Sequence, residues 1–364
     1  MNISVARNDL LQAMQRCQSV VEKRHTVPIL ANLLLKADQE GLQITATDME
    51  VGIRSHCPAE IKAAGATTVS ARKLYEIIRC LDADAVVHMS CTEHKLSIQS
   101  GRFKTLLAAL AADGFPELQE EPSAIQVHLS GAELAEMIGA TAFAMSTDET
   151  RKYLTGTLFE LAGAHLRLVT TDGHRLAMSE TSLNIEDTIQ CIVPRKAVHE
   201  IRKLCEGHDE QVTLAFGERQ IRLIMGRELL VSKLIDARFP IYQEVIPQGN
   251  PNRAILPRQV FDQALGRSMI IADAVTHDLR LEFQPDKLHI SAYNTDQEEV
   301  EEDVEIQYEG KPLTIGFNGR YLRDVLSVAH ADAVCMEMND ELSPVLIFGE
   351  HDERSRYVIM PMRI

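Results

Sequence analysis

The sequence predicts an α+β fold made of three tandem copies of one domain, each with two helices packed on antiparallel sheets. Three observations carry this. The dipeptide Thr-Asp recurs at Thr47-Asp48, Thr171-Asp172 and Thr295-Asp296, each 124 residues after the last. Upstream of each copy lie two strand-like runs separated by a short turn. Downstream of each lies an amphipathic segment of helical period. A register held over three copies is the mark of an internal repeat.

The elements follow in order within each copy. An opening helix is expected at Asp9 to Met14, Gly131 to Ile138 and Gln259 to Leu265, with apolar residues recurring at i, i+3 and i+4. The paired strands read Leu33-Leu34-Leu35 with Leu42 to Thr45, Thr157 to Glu160 with Leu166 to Val169, and Leu279 to Phe283 with Leu288 to Ser291. Gly41, Gly163 and Pro285-Asp286 mark the turns between them. The second helix is expected at Arg72 to Ile78, Arg195 to Ile201 and Arg320 to Leu326. Turn-rich stretches at 120–123 and 247–251 place the domain limits at 1–121, 122–247 and 248–364. A chain of 364 residues exceeds the ~250–300 at which single cores stop growing, so three cores suit it better than one.

Composition narrows the class. Apolar residues make up 45% and charged residues 25%, as in ordinary globular chains. The longest apolar run, Leu106 to Ala112, falls short of the ~18 residues of a membrane helix, so no membrane partner is expected. Met1 to Arg7 reads as a strand entering a helix and lacks the plan of a signal peptide. Seven scattered cysteines without a C-x-x-C pair favour reduced thiols and a cytoplasmic protein over disulfides or zinc. Neither a P-loop nor G-x-G-x-x-G, G-x-S-x-G or H-E-x-x-H occurs, so no cofactor is expected.

Charge distribution points further. The net charge of −16 argues against nucleic acid on its own, because duplex binding rests on phosphate neutralisation. Around the second helices the balance inverts. Arg72, Lys73, Arg79, Arg195, Lys196, Arg202, Lys203, Arg320 and Arg323 stand there against Glu76, Glu200 and Asp324. Solvated helix faces and a concentrated basic surface both fit this count.

Two segments suggest contact between chains. One is the acidic strand-like run from Glu298 to Ile306, with Glu298, Glu301 and Glu302; the other is Arg102 to Leu107, basic and apolar, with Lys104. If both are free sheet edges, opposite charge would pair them. An acidic strand that merely blunts an edge against aggregation is the alternative. The apolar C-terminus, Tyr357 to Met362, reads as a final core strand, a partner surface, or both. In Thr171-Asp172-Gly173-His174-Arg175-Leu176, Asp172 and His174 could form part of a hydrolytic triad. The sister copies lack His and no motif places a nucleophile beside it, so a turn or surface pocket is the better reading.

Several strings together resemble the bacterial DNA sliding clamps, the beta subunits of replicative DNA polymerases. They are Arg151 to Gly156, Thr171 to Ala177, Val193-Pro194-Arg195-Lys196, Arg238-Phe239-Pro240, Gly316-Phe317-Asn318 and Met360-Pro361-Met362-Arg363. The resemblance spans the whole chain. It implies three DNA-clamp domains in a head-to-tail homodimeric ring, with sheets outside and helices lining a hole that holds duplex DNA independently of its sequence. It implies a processivity factor and not an enzyme. Its partners would be the polymerase catalytic subunit, a separate ATP-driven clamp loader, other polymerases and repair proteins, each carrying a short clamp-binding motif.

Residue roles carry over from the same resemblance. The DNA contacts would be Arg24, Arg72, Lys152 and Tyr153, with Lys196 as a further candidate. The partner pocket would draw on Leu154, then on Thr171, Gly173, His174, Arg175 and Leu176 of the middle turn. Pro240 and Val245 would come from the linker, Tyr321 and Ser343 from the third repeat, and Met360, Pro361 and Met362 from the terminus. At the seam, Ile270 and Ile271 would pack near Leu106 and Leu107 beside the charged pairing. Two departures stand out. Glu244 precedes Val245 where some members carry Arg, and Lys152 stands where some carry an aromatic residue. A three-domain adaptor that never touches DNA remains the competing class.

Overall fold

The computed structural model describes residues 1–21, 27–92, 94–123 and 125–363. Six α-helices occur among them: α1 (Arg7–Gln18), α2 (Ala71–Arg79), α3 (Gly131–Thr141), α4 (Arg195–Cys205), α5 (Arg258–Ile271) and α6 (Gly319–Val328). The second helices α2, α4 and α6 begin 124 residues apart, at the repeat's own period. Ser70 caps α2 by accepting from Lys73 N, and Asn318 caps α6 by accepting from Arg320 N. The six anticipated strand segments all form. They lie within Asn32–Asp38, Gly41–Thr47, Gly156–Ala162, His165–Thr171, Asp278–Gln284 and Lys287–Tyr293.

The chain divides into two compact units, Met1–Ala135 with Lys196–Leu234, and Glu136–Arg195 with Ile235–Ile364. The division runs through the middle repeat because the sheets run on across the expected limits. In the first unit a 13-stranded sheet joins Val51–Cys57 of the first repeat to Glu228–Lys233 of the second through Leu229↔Arg54, Leu230↔Ile53, Val231↔Gly52 and Ser232↔Val51. In the second unit a nine-stranded sheet joins Arg175–Ser182 to the terminal strand Ser355–Ile359, from Arg175↔Ile359 to Ser179↔Ser355. The rule is the same in both: the strand after a Thr-Asp turn pairs with the last strand of the next repeat.

The third repeat breaks the series. Its strand after the turn, Glu299–Glu305, ends a four-stranded sheet and pairs only with Lys287–Tyr293. In the first repeat the last strand, Phe103–Leu110, bonds along one side to Lys95–Ser100 and reaches Gly65–Ser70 only through Ala109 and Leu110. One strand at each end of the series is thus left with a free edge among the described residues.

The turns explain why Thr-Asp recurs. Asp48 Oδ1 accepts from the amides of Glu50 at 2.9 Å and Val51 at 2.7 Å, while Thr47 Oγ1 donates to Val51 O and accepts from Met49 N. The middle turn repeats every one of these bonds, from His174, Arg175 and Gly173 N to Asp172 and Thr171. At the third turn Asn294 Oδ1 takes the amides of Asp296 and Glu298 instead. All three keep a left-handed residue two positions after the Thr: Met49 (φ 80), Gly173 (φ 92) and Gln297 (φ 63). A further Thr-Asp pair, Thr147-Asp148, serves differently: Asp148 caps the 3-10 turn Glu149–Leu154. No helix among the described residues is long and apolar enough to cross a membrane. All seven cysteines are free, and burial pushes the Cys57, Cys191 and Cys205 thiols up to about 12, which keeps them unreactive.

Candidate functional site

The anticipated pocket residues lie in the second unit, on six of its segments. The floor is apolar. Leu154 and Leu176 pack with Leu158, Val169, Phe239, Tyr242, Leu346 and Val358 in one buried cluster. The linker residues Pro240 and Val245 stay exposed on either side of buried Tyr242. The terminus closes one wall: Met360 N donates to His174 O at 2.9 Å and Met362 N to Gly316 O at 2.8 Å. Met360, Pro361 and Met362 are half-buried there, and the final residue of the chain lies outside the described residues. Ser343 sits in a turn held by Asp340, directly before the strand Val345–Gly349 that pairs with the terminal one.

Arg175 locks the turn to helix α6. Its guanidinium donates to Asp172 Oδ2 at 3.0 Å, Asp324 Oδ2 at 2.5 Å and Phe143 O at 2.9 Å. It also lies 4.4 Å from the Tyr321 ring centroid and 5.2 Å from that of Phe143. A planar cation with five donors is suited to this mixture of carboxylates, a carbonyl and ring faces. His174 also stacks on Tyr321, with centroids 6.5 Å apart. Burial, with Asp172 nearby, raises the Tyr321 pKa above its ordinary value. Gly173 suits its left-handed φ, which Met49 and Gln297 adopt at some strain in the sister turns, and a Cβ there would press on Arg151 Nη1 at 3.0 Å. Asp172 directs its carboxylate to the His174 and Arg175 amides and to the Arg175 side chain. That leaves the string a structural turn and not half of a triad.

Sequence reasoning missed the support beneath this floor. Glu160 is buried, yet it accepts from the Tyr242 hydroxyl at 2.5 Å, from Gln190 Nε2 and from Arg167 Nη1 at 3.5 Å. A signal was present: Glu160 is the one charge in Thr157-Leu158-Phe159-Glu160-Leu161, a run buried on both faces.

The anticipated DNA contacts divide between the units. In the first, Arg72 is exposed on α2 with Glu76 as its i,i+4 partner. Lys196 donates to Asp48 and to Val20 O, so its charge is already matched inside the protein. Arg195 donates to the Ser146 carbonyl and Lys203 to Gln15 O and Ser19 Oγ. The basic count around the second helices therefore overstates free charge. In the second unit Lys152 is exposed and Tyr153 is 36% exposed on the 3-10 turn Glu149–Leu154. Arg24 lies outside the described residues.

The anticipated seam residues lie on or beside the two free-edge strands and at the end of α5. Lys104, Leu106 and Leu107 lie on Phe103–Leu110, with Leu106 58% exposed. Ile270, 79% exposed, and Ile271 end α5. Glu301 points outward from Glu299–Glu305, whereas Glu302 faces inward and pairs with Arg267 of α5. Glu298 accepts from Asn294 Nδ2 at 2.7 Å.

Known proteins match this chain throughout. The family profile of the DNA polymerase III beta subunit matches in three parts: the N-terminal domain over residues 1–119, the central domain over 128–241 and the C-terminal domain over 243–363. Beta sliding clamps of Pseudomonas putida and Pseudomonas aeruginosa are each 37% identical over 367 residues, covering 100% of both chains. Among solved structures, a sliding clamp from Pseudomonas aeruginosa bound to griselimycin superposes with a TM-score of 0.96 at 37% identity, covering 100% of both chains. One from Bartonella birtlesii, also bound to griselimycin, gives 0.96 at 35% with the same coverage.

Proposed function

The chain belongs to the DNA polymerase III beta subunit family, the sliding clamps, and from that membership we propose that two copies close head to tail into a ring around duplex DNA. As a member it is a non-catalytic processivity clamp that tethers a polymerase. We place its three clamp domains at 1–121, 122–247 and 248–364, where the family profiles span 1–119, 128–241 and 243–363.

The observation that carries the ring is the broken series of strand pairings. Two junctions join the strand after the turn to the last strand of the next repeat. Glu299–Glu305 has no next repeat, and Phe103–Leu110 has no preceding one. A second copy supplies both, and a heterologous contact that closes makes a ring. Lys104 faces the acidic strand in this seam, with Leu106 and Leu107 near Ile270 and Ile271. Since Arg267 already neutralises Glu302, Glu301 contributes the greater share of the cross-seam charge. Such exposed pairs are worth only ~0.2–1 kcal/mol each, so backbone pairing and apolar contact supply most of the seam's stability. Sedimentation at low concentration checks this: Glu301→Lys should shift the dimer toward monomer.

Arg72 and Lys152 are the direct phosphate ligands in this reading, with Tyr153 next to Lys152 in the chain and Arg24 added on family resemblance. Lys196 is already paired with Asp48 and is the weaker candidate. Phosphate contacts carry no sequence information, which lets the ring slide. The apolar cluster edged by His174, Pro240, Val245, Ser343 and Met360 to Met362 receives the short motif of the polymerase catalytic subunit, the ATP-driven loader, other polymerases and repair proteins. Griselimycin, bound by two relatives, fits the same apolar pocket. The protein works in the cytoplasm, at the nucleoid. Loading onto a nicked circle tests the whole reading. The protein should stay bound until the circle is linearised and then be lost from the ends; release that ignores linearisation refutes the ring.

A further inference from the structure

Glu160 and Tyr242 sit beneath the proposed pocket, and neither touches its mouth. Tyr242 lends its ring to the floor cluster, beside Leu154, Leu176 and Leu346. Its hydroxyl donates to the buried carboxylate of Glu160 at 2.5 Å. Glu160 is in turn fixed by Gln190 and Arg167, and Arg167 by Glu180 at 2.7 Å. The ring lies at the start of the short turn Tyr242–Glu244, and the two exposed linker residues of the pocket, Pro240 and Val245, stand on either side of it. Backbone bonds alone hold this segment loosely: Val245 N donates to Tyr242 O at 3.0 Å, and the peptide from Phe239 to Ile241 belongs to no strand or helix.

The first repeat provides an internal control. At the same register, 124 residues earlier, Phe115-Pro116 match Phe239-Pro240, Leu118 matches Tyr242, Lys36 matches Glu160 and Gly52 matches Leu176. Neither a hydroxyl at 118 nor a carboxylate at 36 is available there. A Cβ placed on Gly52 would lie 2.1 Å from Leu118 Cδ2. The space that the Leu176 side chain takes in the middle repeat is thus filled from the linker in the first. The linker there is also pinned by Glu120 to Arg54 at 3.0 Å and to Arg222 at 3.2 Å. One frame has two outcomes: an untethered Leu118 drawn in over a glycine, and a tethered Tyr242 beside a leucine.

We infer that the Tyr242–Glu160 hydrogen bond is a latch that positions the Pro240–Val245 wall and keeps the middle pocket open to a partner peptide, and that its absence is why the first repeat's counterpart is closed by its own Leu118. This rests on the pocket reading above and deepens it: the Tyr242 hydroxyl and Glu160 act by position, beneath a floor to which only the Tyr242 ring belongs. Burial, then the hydrogen bond to and the charge of Glu160, hold the Tyr242 hydroxyl far above its ordinary range, so it remains a donor at any working pH.

Griselimycin titrated onto the full-length protein tests the latch. Tyr242→Phe keeps the ring and removes only the donor; a lost neutral-to-charged hydrogen bond predicts binding weaker by about 5- to 10-fold. Tyr242→Leu copies the first repeat and should weaken it more. Glu160→Gln keeps an acceptor for the hydroxyl and should bind within about twofold of the parent, whereas Glu160→Ala should match Tyr242→Phe. Combining Glu160→Ala with Tyr242→Phe should cost little beyond either alone, a coupling that a general loss of packing would not produce. Circular dichroism confirms that each variant is folded. Met362→Ala serves as the pocket control. If Met362→Ala weakens binding while both Tyr242 variants bind within twofold of the parent, the latch is overturned and the pocket stands. If the parent does not bind, the pocket reading falls and takes the latch with it.

Discussion

At the first junction a lysine comes to the turn; at the second an arginine leaves it. Asp48 receives Lys196 from α4, while Arg175 reaches out of its own turn to Asp324 on α6. The two frames are otherwise alike, down to the hydrogen bonds inside each turn and the strand that leaves it for the next repeat. Ala197 stands on α4 where Tyr321 stands on α6, so only the second junction has a ring for a guanidinium and an imidazole to stack on. The lesson is that backbone pairing fixes the joint and a few side chains decide its use. At the first joint Lys196 matches the charge of the turn, Glu120 ties the linker to Arg54 and Arg222, and Leu118 fills the space over Gly52. The second has its polar atoms gathered onto one cation, which leaves an apolar floor free for a ligand.

The comparison can be broken at its strongest point first. Arg175→Ala removes three donor contacts and two ring contacts at once, so it should cost about 2–3 kcal/mol of unfolding free energy in urea, although Asp172 keeps the His174 and Arg175 amides. A cost below about 0.5 kcal/mol would mean that the turn and not the cation holds the joint. Lys196→Ala should cost less, about 1–2 kcal/mol, because Asp48 keeps the Glu50 and Val51 amides as partners. A larger loss than at Arg175 would reverse the ranking of the two junctions. Backbone strain gives the smallest effect. Met49→Gly relieves a side chain held at φ 80 and should add about 0.5–1 kcal/mol of stability, read as a raised Tm, while Gly173→Ala should lower it by a similar amount.

Much of the frame was legible because it is local. The strands follow from alternation and from their turns, and the second helices from their period. The repeat spacing followed from Thr-Asp, since two of the three turns use those side chains in the same way. The marker failed where chemistry was substitutable. Asn294 performs the third turn's task, and Thr147-Asp148 has the spelling without the role. The charge count failed for a different reason. Arg195, Lys196 and Lys203 look free on a helix, but each finds a carbonyl, hydroxyl or carboxylate supplied by a residue far away in the chain. Lys196 and Asp48 are separated by 148 residues and Arg175 and Asp324 by 149, distances over which no sequence pattern records a pairing. The charged seam was read from the residues and the pocket from resemblance, and the structure adds settings that neither supplied, such as the contact that turns Glu302 inward to Arg267.

The acidic edge strand carries one more consequence. Along its outward face run Glu299, Glu301, Asp303 and Glu305, and of these Asp303 is matched from within by Lys287 and His289 at 2.7 Å each. Two such strands laid side by side would set like charge against like, the least favourable cross-strand neighbours. In the proposed ring a chain would therefore repel the same end of its twin and accept only the opposite end. The acidity that keeps this single strand soluble would then also give assembly its direction.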